Sequence, residues 1–249
     1  MADATLPLGR FADPANDELL KIAHRRLYPR LSDPNFLVLR ARRIIFQNWL
    51  ALLPGTELKI LDLGGRYQPY RPLIQARAGQ YVSCDISRTG LVDVVGDGLS
   101  LPFAHESFDV VIATQVFDCF TDPCEAALQI HQVLKPGGVL LASIPFMAPR
   151  FSDAERWRFT STGVRSIFSV FSDLRIVPEL SSIGGVLRLC NLALESFARS
   201  MVLKAVMRST LIPCMNLIGM ALEALRINHN DQFTPNYSVM AVKTKSQAC

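Results

Sequence analysis

The sequence predicts an α/β fold, a mostly parallel sheet with helices on both faces. Three observations carry that expectation. Apolar runs recur near residues 58–63, 80–85, 91–95, 108–114 and 137–144. Helix-forming stretches fall between them near 70–78 and 123–134. The run Phe108-Asp-Val-Val-Ile-Ala-Thr114 is apolar throughout after its acid, as a strand buried on both faces is. Strands and helices that alternate in this way build a parallel sheet joined by crossover helices.

Taken in order, residues 1–12 carry no periodic pattern, while Asp17–Leu27 and Asn35–Leu53 have helical spacing. Asp33 or Asn35 can cap the second helix, and Pro54-Gly55 stops it. This helix carries Arg40, Arg42 and Arg43 among Leu37, Leu39, Ile44 and Ile45. It reads either as an amphipathic cover for the sheet or as a basic face for an anionic substrate or membrane headgroups. Next, Lys59-Ile-Leu-Asp-Leu-Gly-Gly-Arg is an apolar run ending in an acid and two glycines, with a helix expected from residue 70. A parallel strand delivers a nucleotide-like ligand to a helix N-terminus through such a turn. Gln80-Tyr-Val-Ser-Cys-Asp85 ends in a carboxylate able to bind two ribose hydroxyls. Asp97-Gly-Leu-Ser-Leu-Pro-Phe103 is turn-rich. Leu134-Lys-Pro-Gly-Gly138 reads as a helix stop before the next strand.

Beyond it, Thr160–Phe168 reads as a helix, Leu174–Leu180 as a strand, and Tyr237–Lys243 as the last strand. Between these strands, residues 183–227 are apolar and helical in pattern, with charges at Arg188, Glu195, Arg199, Lys204, Arg208 and Glu223. They read as helices packed on the core, or as a cap, a dimer face or a membrane-surface element. The uncharged run Ser209–Leu222 contains Pro213 and is shorter than the roughly 20 residues that span a bilayer. The expected organisation is an N-terminal tail and helical cap over 1–57 and one domain over 58–249, with a helical insertion at 183–227.

Bulk properties narrow the class. The 249 residues suit one decorated domain. A net charge of +4 from 26 basic and 22 acidic residues is too mild for a nucleic-acid partner, so none is expected. The six cysteines (84, 119, 124, 190, 214, 249) form no Cys-x-x-Cys pair, and the four histidines have no ligand spacing. They read as buried thiols in a reducing compartment, with no metal expected. The first residues show no basic and apolar signal pattern, so the expected location is cytoplasmic, with peripheral membrane contact through 183–227 as an added option.

In order and spacing these segments resemble the class I S-adenosylmethionine (SAM)-dependent methyltransferases, particularly the type 11 methyltransferase domain, over roughly residues 58–170 and more weakly to 245. The resemblance implies a Rossmann-like doubly wound sheet of seven strands, the last antiparallel, and SAM as cofactor. It assigns Asp62, Gly64 and Gly65 to the cofactor turn, with Arg66 where the family has its second glycine. Arg66 could crowd the pocket, point outward or pair with the methionine carboxylate. The resemblance further implies that Asp85 binds the ribose and Asp97 the adenine amino group, with Gly98 and Leu99 adding backbone contacts. Thr114 and Gln115 end the fourth strand, Gln115 toward the sulfonium or the substrate. Asp109, at the strand's other end, reads as structural.

Substrate candidates are Tyr67, Gln68, Tyr70 and Arg71 after the first strand, and Trp157 and Arg158 in Ala154-Glu-Arg-Trp-Arg-Phe159. That segment resembles the His-Asp-x-Trp-Arg-Phe of methyltransferases encoded among glycan and lipid biosynthesis genes. Trp157 and Arg158 could grip a sugar or phosphate, or serve as a packing Trp and an Arg that caps carbonyls. Asp118 is a candidate base or a structural acid near a helix start, and His229 is the best-placed histidine. The expected function is methyl transfer to a small-molecule, sugar/glycan or lipid-linked acceptor by in-line displacement. One rival is a non-catalytic binding or assembly module, motivated by Arg66 and by Asp118-Cys119 standing where many members of the resembled family have Glu-His. The other is a nicotinamide-dependent oxidoreductase, disfavoured because Gly-x-Gly-x-x-Gly is not satisfied. The oligomeric state stays open.

Overall fold

A computed structural model describes residues 14–225 and 230–244. Two helices, α1 (Pro14–Leu27) and α2 (Phe36–Leu52), lead into β1 (Leu58–Leu63). There follow α3 (Arg71–Ile74), β2 (Ala78–Asp85), β3 (Val94–Val95), β4 (Phe108–Thr114), α4 (Pro123–Val133), β5 (Leu134–Pro145), α5 (Ser161–Ile167) and β6 (Asp173–Pro178). Three helices, α6 (Ser182–Phe197), α7 (Met201–Ser209) and α8 (Leu211–Ala224), precede β7 (Asn236–Val242). The seven strands run in the order β3-β2-β1-β4-β5-β7-β6. Pairing is parallel from β3 through β5, and β7 runs antiparallel between β5 and β6. This is the expected Rossmann-like sheet.

Period-two alternation divides the core. Leu61, Leu63, Val111 and Ala113 pack on one face with Phe117, Ala126, Ile130 and Phe168 from around α4 and α5. Ile60, Ile112 and Leu141 face the other way onto Leu27, Phe46, Trp49, Leu50, Tyr70 and Ile74. The strand order reverses direction between β1 and β4, the switch point where open α/β sheets bind ligands beyond their carboxyl ends. The turns after these strands meet there: a Cβ on Gly64 would lie 3.1 Å from Val116.

Local chemistry sets the element ends. Asp122 caps α4 by accepting from the Cys124 and Glu125 amides, and Pro123 opens the helix. Ser181 and Ser200 cap α6 and α7. Arg77 donates to the carbonyls of Leu50, Leu53 and Gly55, serving the orphan acceptors at the end of α2.

Several expectations change. The helix expected over 70–78 is one turn of α-helix and a 3-10 turn at Gln75–Arg77, after which the chain enters β2. It begins seven residues after Gly64 and is too short to present a ligand-binding N-terminus. The third strand shrinks to two residues. β5 starts at Leu134, because Leu134 already pairs with Phe108 and the glycine turn becomes a register shift inside the strand. Neither Asp33 nor Asn35 caps α2 through its side chain onto the helix: the Asn35 amide donates to Asp33, and Asn35 Oδ1 accepts from Arg188 on α6. Of the five described cysteines only Cys84 is buried, while Cys124, Cys190 and Cys214 are exposed.

Candidate functional site

The carboxyl edge of the sheet gathers most of the expected cofactor residues. Gly64 follows β1 with φ +78°, a left-handed conformation that favours glycine. A Cβ on Gly65 would lie 2.6 Å from the Asp62 carbonyl oxygen, so the turn closes only with glycine there too. Both glycine amides donate to the Cys84 carbonyl, at 2.8 and 3.2 Å, which ties the turn to the end of β2. Asp62 lies beneath it, buried, with its Oδ2 accepting from Tyr81 Oη at 2.6 Å. Burial pushes the Asp62 carboxyl up to about 7, with Asp85 adding to the rise and Tyr81 opposing it. Asp85 ends β2 with one oxygen accepting from the Ser87 amide at 2.8 Å. These features fit a compact cationic cofactor with a ribose: a tight turn that only glycine closes, and carboxylates at the ends of adjacent strands.

Arg66 is exposed, its guanidinium 4.6 Å above the Tyr67 ring and bonded to Tyr67 Oη at 2.5 Å. It points outward and leaves the turn open. Arg26 of α1 covers the same ring at 4.4 Å, so α1 overlies this turn.

Asp97 is exposed, and its Oδ1 holds the Leu99 amide at 3.0 Å in its own turn. Gly98 is buried, and a Cβ there would lie 2.4 Å from the Phe120 ring, so this glycine admits the segment after β4. Ile86, absent from the residues expected for the site, follows Asp85 with its side chain 74% exposed. It offers a bare apolar face beside a carboxylate, the pairing a ribose with its flat base needs. The signal in sequence is an apolar residue directly after a strand-end acid, where the pattern should turn polar.

After β4, Thr114 is half-buried opposite Ser143, and Gln115 takes φ +53°. Its Nε2 donates to Ser143 Oγ and to the Ser143 carbonyl, so the amide faces β5 instead of the crevice, contrary to expectation. Ser143 Oγ in turn donates to Glu179. Glu179 is fully buried and also accepts from Arg42 (2.8 and 3.0 Å), Asn236 and Ser238. Arg42 is therefore an interior ion-pair partner and not part of a basic face. Burial works against its charge, and Glu179 and Tyr70 more than offset that, so its proton is held more tightly. The sequence reading missed Glu179, because an acid just past a strand carries no local mark of burial.

The substrate candidates separate. Tyr70 is a core residue, 2% exposed, its ring 4.9 Å from Phe46, so it is withdrawn from any substrate surface. Gln68 binds the Leu91 carbonyl and Arg71, and Arg71 also bonds Gln75; these residues fasten the turn. Arg158 donates to the carbonyls of Ala148, Pro149 and Trp157 and to Glu155, which makes it the carbonyl-capping arginine. Trp157 donates Nε1 to the Phe120 carbonyl and remains 44% exposed. Asp118 is buried, and its Oδ1 has no hydrogen-bond partner among the described residues. Its carbonyl holds the Arg156 and Trp157 amides, which draws the 150–158 loop over it, and burial raises its carboxyl above the usual range. Asp109 is structural as read, bound by the Lys59 amide and Lys135 Nζ. His229 lies outside the described residues.

A cavity of about 470 Å³ opens between α1 and α3, lined by Leu20, Leu27, Tyr28, Pro69 and Pro72 with His24 and Arg71. It adjoins the residues that follow the glycine turn.

Fold and site together define a class, the Rossmann-like methyltransferase fold, and residues 61–142 match the family model described as a methyltransferase domain. The chain is similar to the ubiquinone/menaquinone biosynthesis C-methyltransferase UbiE of Cereibacter sphaeroides, at 32% identity over 112 residues, 38% of this chain and 44% of that protein. It is also 42% identical over 52 residues to phthiotriol/phenolphthiotriol dimycocerosates methyltransferase 1 of Mycobacterium ulcerans, covering 21% of this chain and 19% of that one. The similarity thus spans less than half the length of these curated relatives. Among solved structures, the fold matches the [4+2]-cyclase SpnF with TM-score 0.52 and 18% identity over 81% of both chains. It matches a methyltransferase described as possible histamine N-methyltransferase from Thermotoga maritima with TM-score 0.51 and 16% identity over 95% and 99% of the chains.

Proposed function

We propose that this protein transfers the methyl group of SAM to an apolar, lipid-linked small molecule. The observation that carries the reading is the convergence of Gly64, Gly65, Asp85 and Asp97 on the carboxyl edge at the switch point, with the unpartnered Asp118 oxygen after β4. In this reading Asp62 and the glycine turn hold the amino-acid end of SAM, Asp85 its ribose hydroxyls, and Ile86 with Leu99 the face of the base. When bound, SAM supplies an already activated methyl, so the protein's task is alignment and exclusion of water. Asp118 Oδ1 takes the proton that the acceptor loses, and burial of that carboxyl raises its basicity once it is ionised. The Trp157 indole lines the approach. The named relatives are methyltransferases of ubiquinone/menaquinone biosynthesis and of phthiotriol/phenolphthiotriol dimycocerosates, and the largely apolar cavity beside the turn suits an apolar acceptor better than a free sugar. Exposed unpaired thiols at Cys124, Cys190 and Cys214 suit a reducing cytoplasm.

Calorimetric titration of the full chain with SAM tests the reading. Heat saturating in the micromolar range is expected, and none up to high micromolar would sink it. Asp118→Asn should leave SAM affinity within about twofold while lowering turnover about 10²- to 10⁴-fold, the usual range for a lost general base.

A further inference from the structure

We propose that the outward faces of α6, α7 and α8 form a docking surface for an anionic phospholipid bilayer. This goes beyond the methyl-transfer reading and does not rest on it.

More than half of the large apolar side chains exposed on the described chain lie between Val186 and Leu225. On α6 the exposed positions Val186, Cys190, Ala193 and Phe197 form one helical stripe. The α6–α7 corner is the most exposed part, with Phe197 at 76%, Met201 at 81% and Val202 at 74%. No residue of α7 is buried. On α8 the outer residues Leu211, Leu217, Ile218 and Ala221 are uncharged. Soluble surfaces seldom leave so much contiguous apolar area in water.

The charges around this surface favour lipid. Arg199 and Lys204 stand at the corner, Arg199 exposed and Lys204 half-buried. The two carboxylates of this stretch are engaged: Glu195 accepts from Arg208, and Glu223 accepts from the Ser181 amide and hydroxyl. An apolar wedge flanked by cations, with Glu195 ion-paired and Glu223 hydrogen-bonded to Ser181, matches acyl chains beneath anionic headgroups.

The surface lies on the bilayer and does not cross it. Residues Met201–Ala224 are apolar and long enough to span. However, Thr210 breaks the run with φ −126° and ψ −77°. The inner side of α8 is also fastened to the protein: Asn216 Nδ2 donates to the carbonyls of Leu31 and Asp33, and Asn191 donates to Asn216. Gly219 lets α8 close on Leu37, where a Cβ would come within 2.6 Å. Spanning would strip all of these contacts.

Co-sedimentation of the full chain with vesicles of phosphatidylcholine alone, or with phosphatidylglycerol added, tests the proposal. We expect binding at least tenfold stronger to the anionic vesicles. Met201→Asp with Val202→Asp should reduce binding at least tenfold, and Arg199→Glu with Lys204→Glu should abolish the preference for anionic lipid, all with unchanged Tm and SAM affinity. Absence of binding to either vesicle overturns the proposal. So does a concentration-dependent dimer in sedimentation velocity that Met201→Asp breaks in the absence of any vesicle binding. Equal binding to neutral vesicles overturns the role given to the cations.

Discussion

Asp85 and Asp62 sit one strand apart and face different tasks. Asp85 ends β2 at the carboxyl edge of the sheet, so on the ribose reading Asp85→Ala should weaken SAM binding by about 1–3 kcal/mol in calorimetry, as loss of hydrogen bonds to a buried ligand does. Unchanged affinity would place the ribose elsewhere. Asp62 is buried against Tyr81, and its carboxyl titrates near 7, well above the unfolded range. Between roughly pH 4 and 7 the folded state therefore holds a proton that the unfolded chain has released. Stability from this group is present at low pH and is lost as pH rises through about 7. Asp62→Asn removes that loss, so its Tm relative to the native chain should rise from pH 5 to pH 8, by on the order of 2–4 kcal/mol in stability. A difference that stays flat with pH would show that Asp62 is not protonated in the folded state. Arg66 teaches the complementary lesson. Its position in the motif was readable, but its direction depended on the Tyr67 ring beside it.

At the scale of elements, the chain Gln115–Ser143–Glu179–Arg42 joins β4, β5, the end of β6 and α2 across the sheet. Glu179 collects donors from Arg42, Ser143, Asn236 and Ser238, so Glu179→Leu leaves Arg42 as a buried unpaired charge. Chemical denaturation should show a loss of about 3–5 kcal/mol. Arg42→Met combined with Glu179→Leu should recover much of it, because no bare charge then remains. A double variant no better than the single one would mean that the serines and Asn236 carry the energy. None of this was visible in sequence: Arg42 looked like one of three arginines on an amphipathic helix, and its burial follows from α2 crossing the β5–β7 side of the sheet. The short α3 has a similar origin. Its apolar pattern reads on toward residue 78, but pairing of Ala78 with Leu58 draws the chain into β2 first.

For the whole molecule, the site lies along one edge and the apolar helices lie outside it. Hydrogen exchange on adding SAM should therefore slow the turns around residues 62–66, 85–87 and 97–99, while α7 stays unchanged. Adding anionic vesicles should slow α7 and leave those turns alone. Protection of α7 by SAM alone would join the two surfaces in one closing motion.

By itself the sequence determined the strands, their order of use and the acids that end them, because a strand buried on both faces and a turn closed by glycine are local and leave unmistakable composition. The antiparallel last strand and the cofactor came from resemblance and agree with the sheet. Only the tertiary structure decided which side chains remain free. It drew Tyr70, Arg158 and the Gln115 amide into packing or hydrogen bonds, left Asp118 Oδ1 without a hydrogen-bond partner among the described residues, exposed Ile86, and turned the outer faces of α6–α8 to solvent. Those outcomes depend on contacts between segments distant in the chain, and no local pattern encodes them.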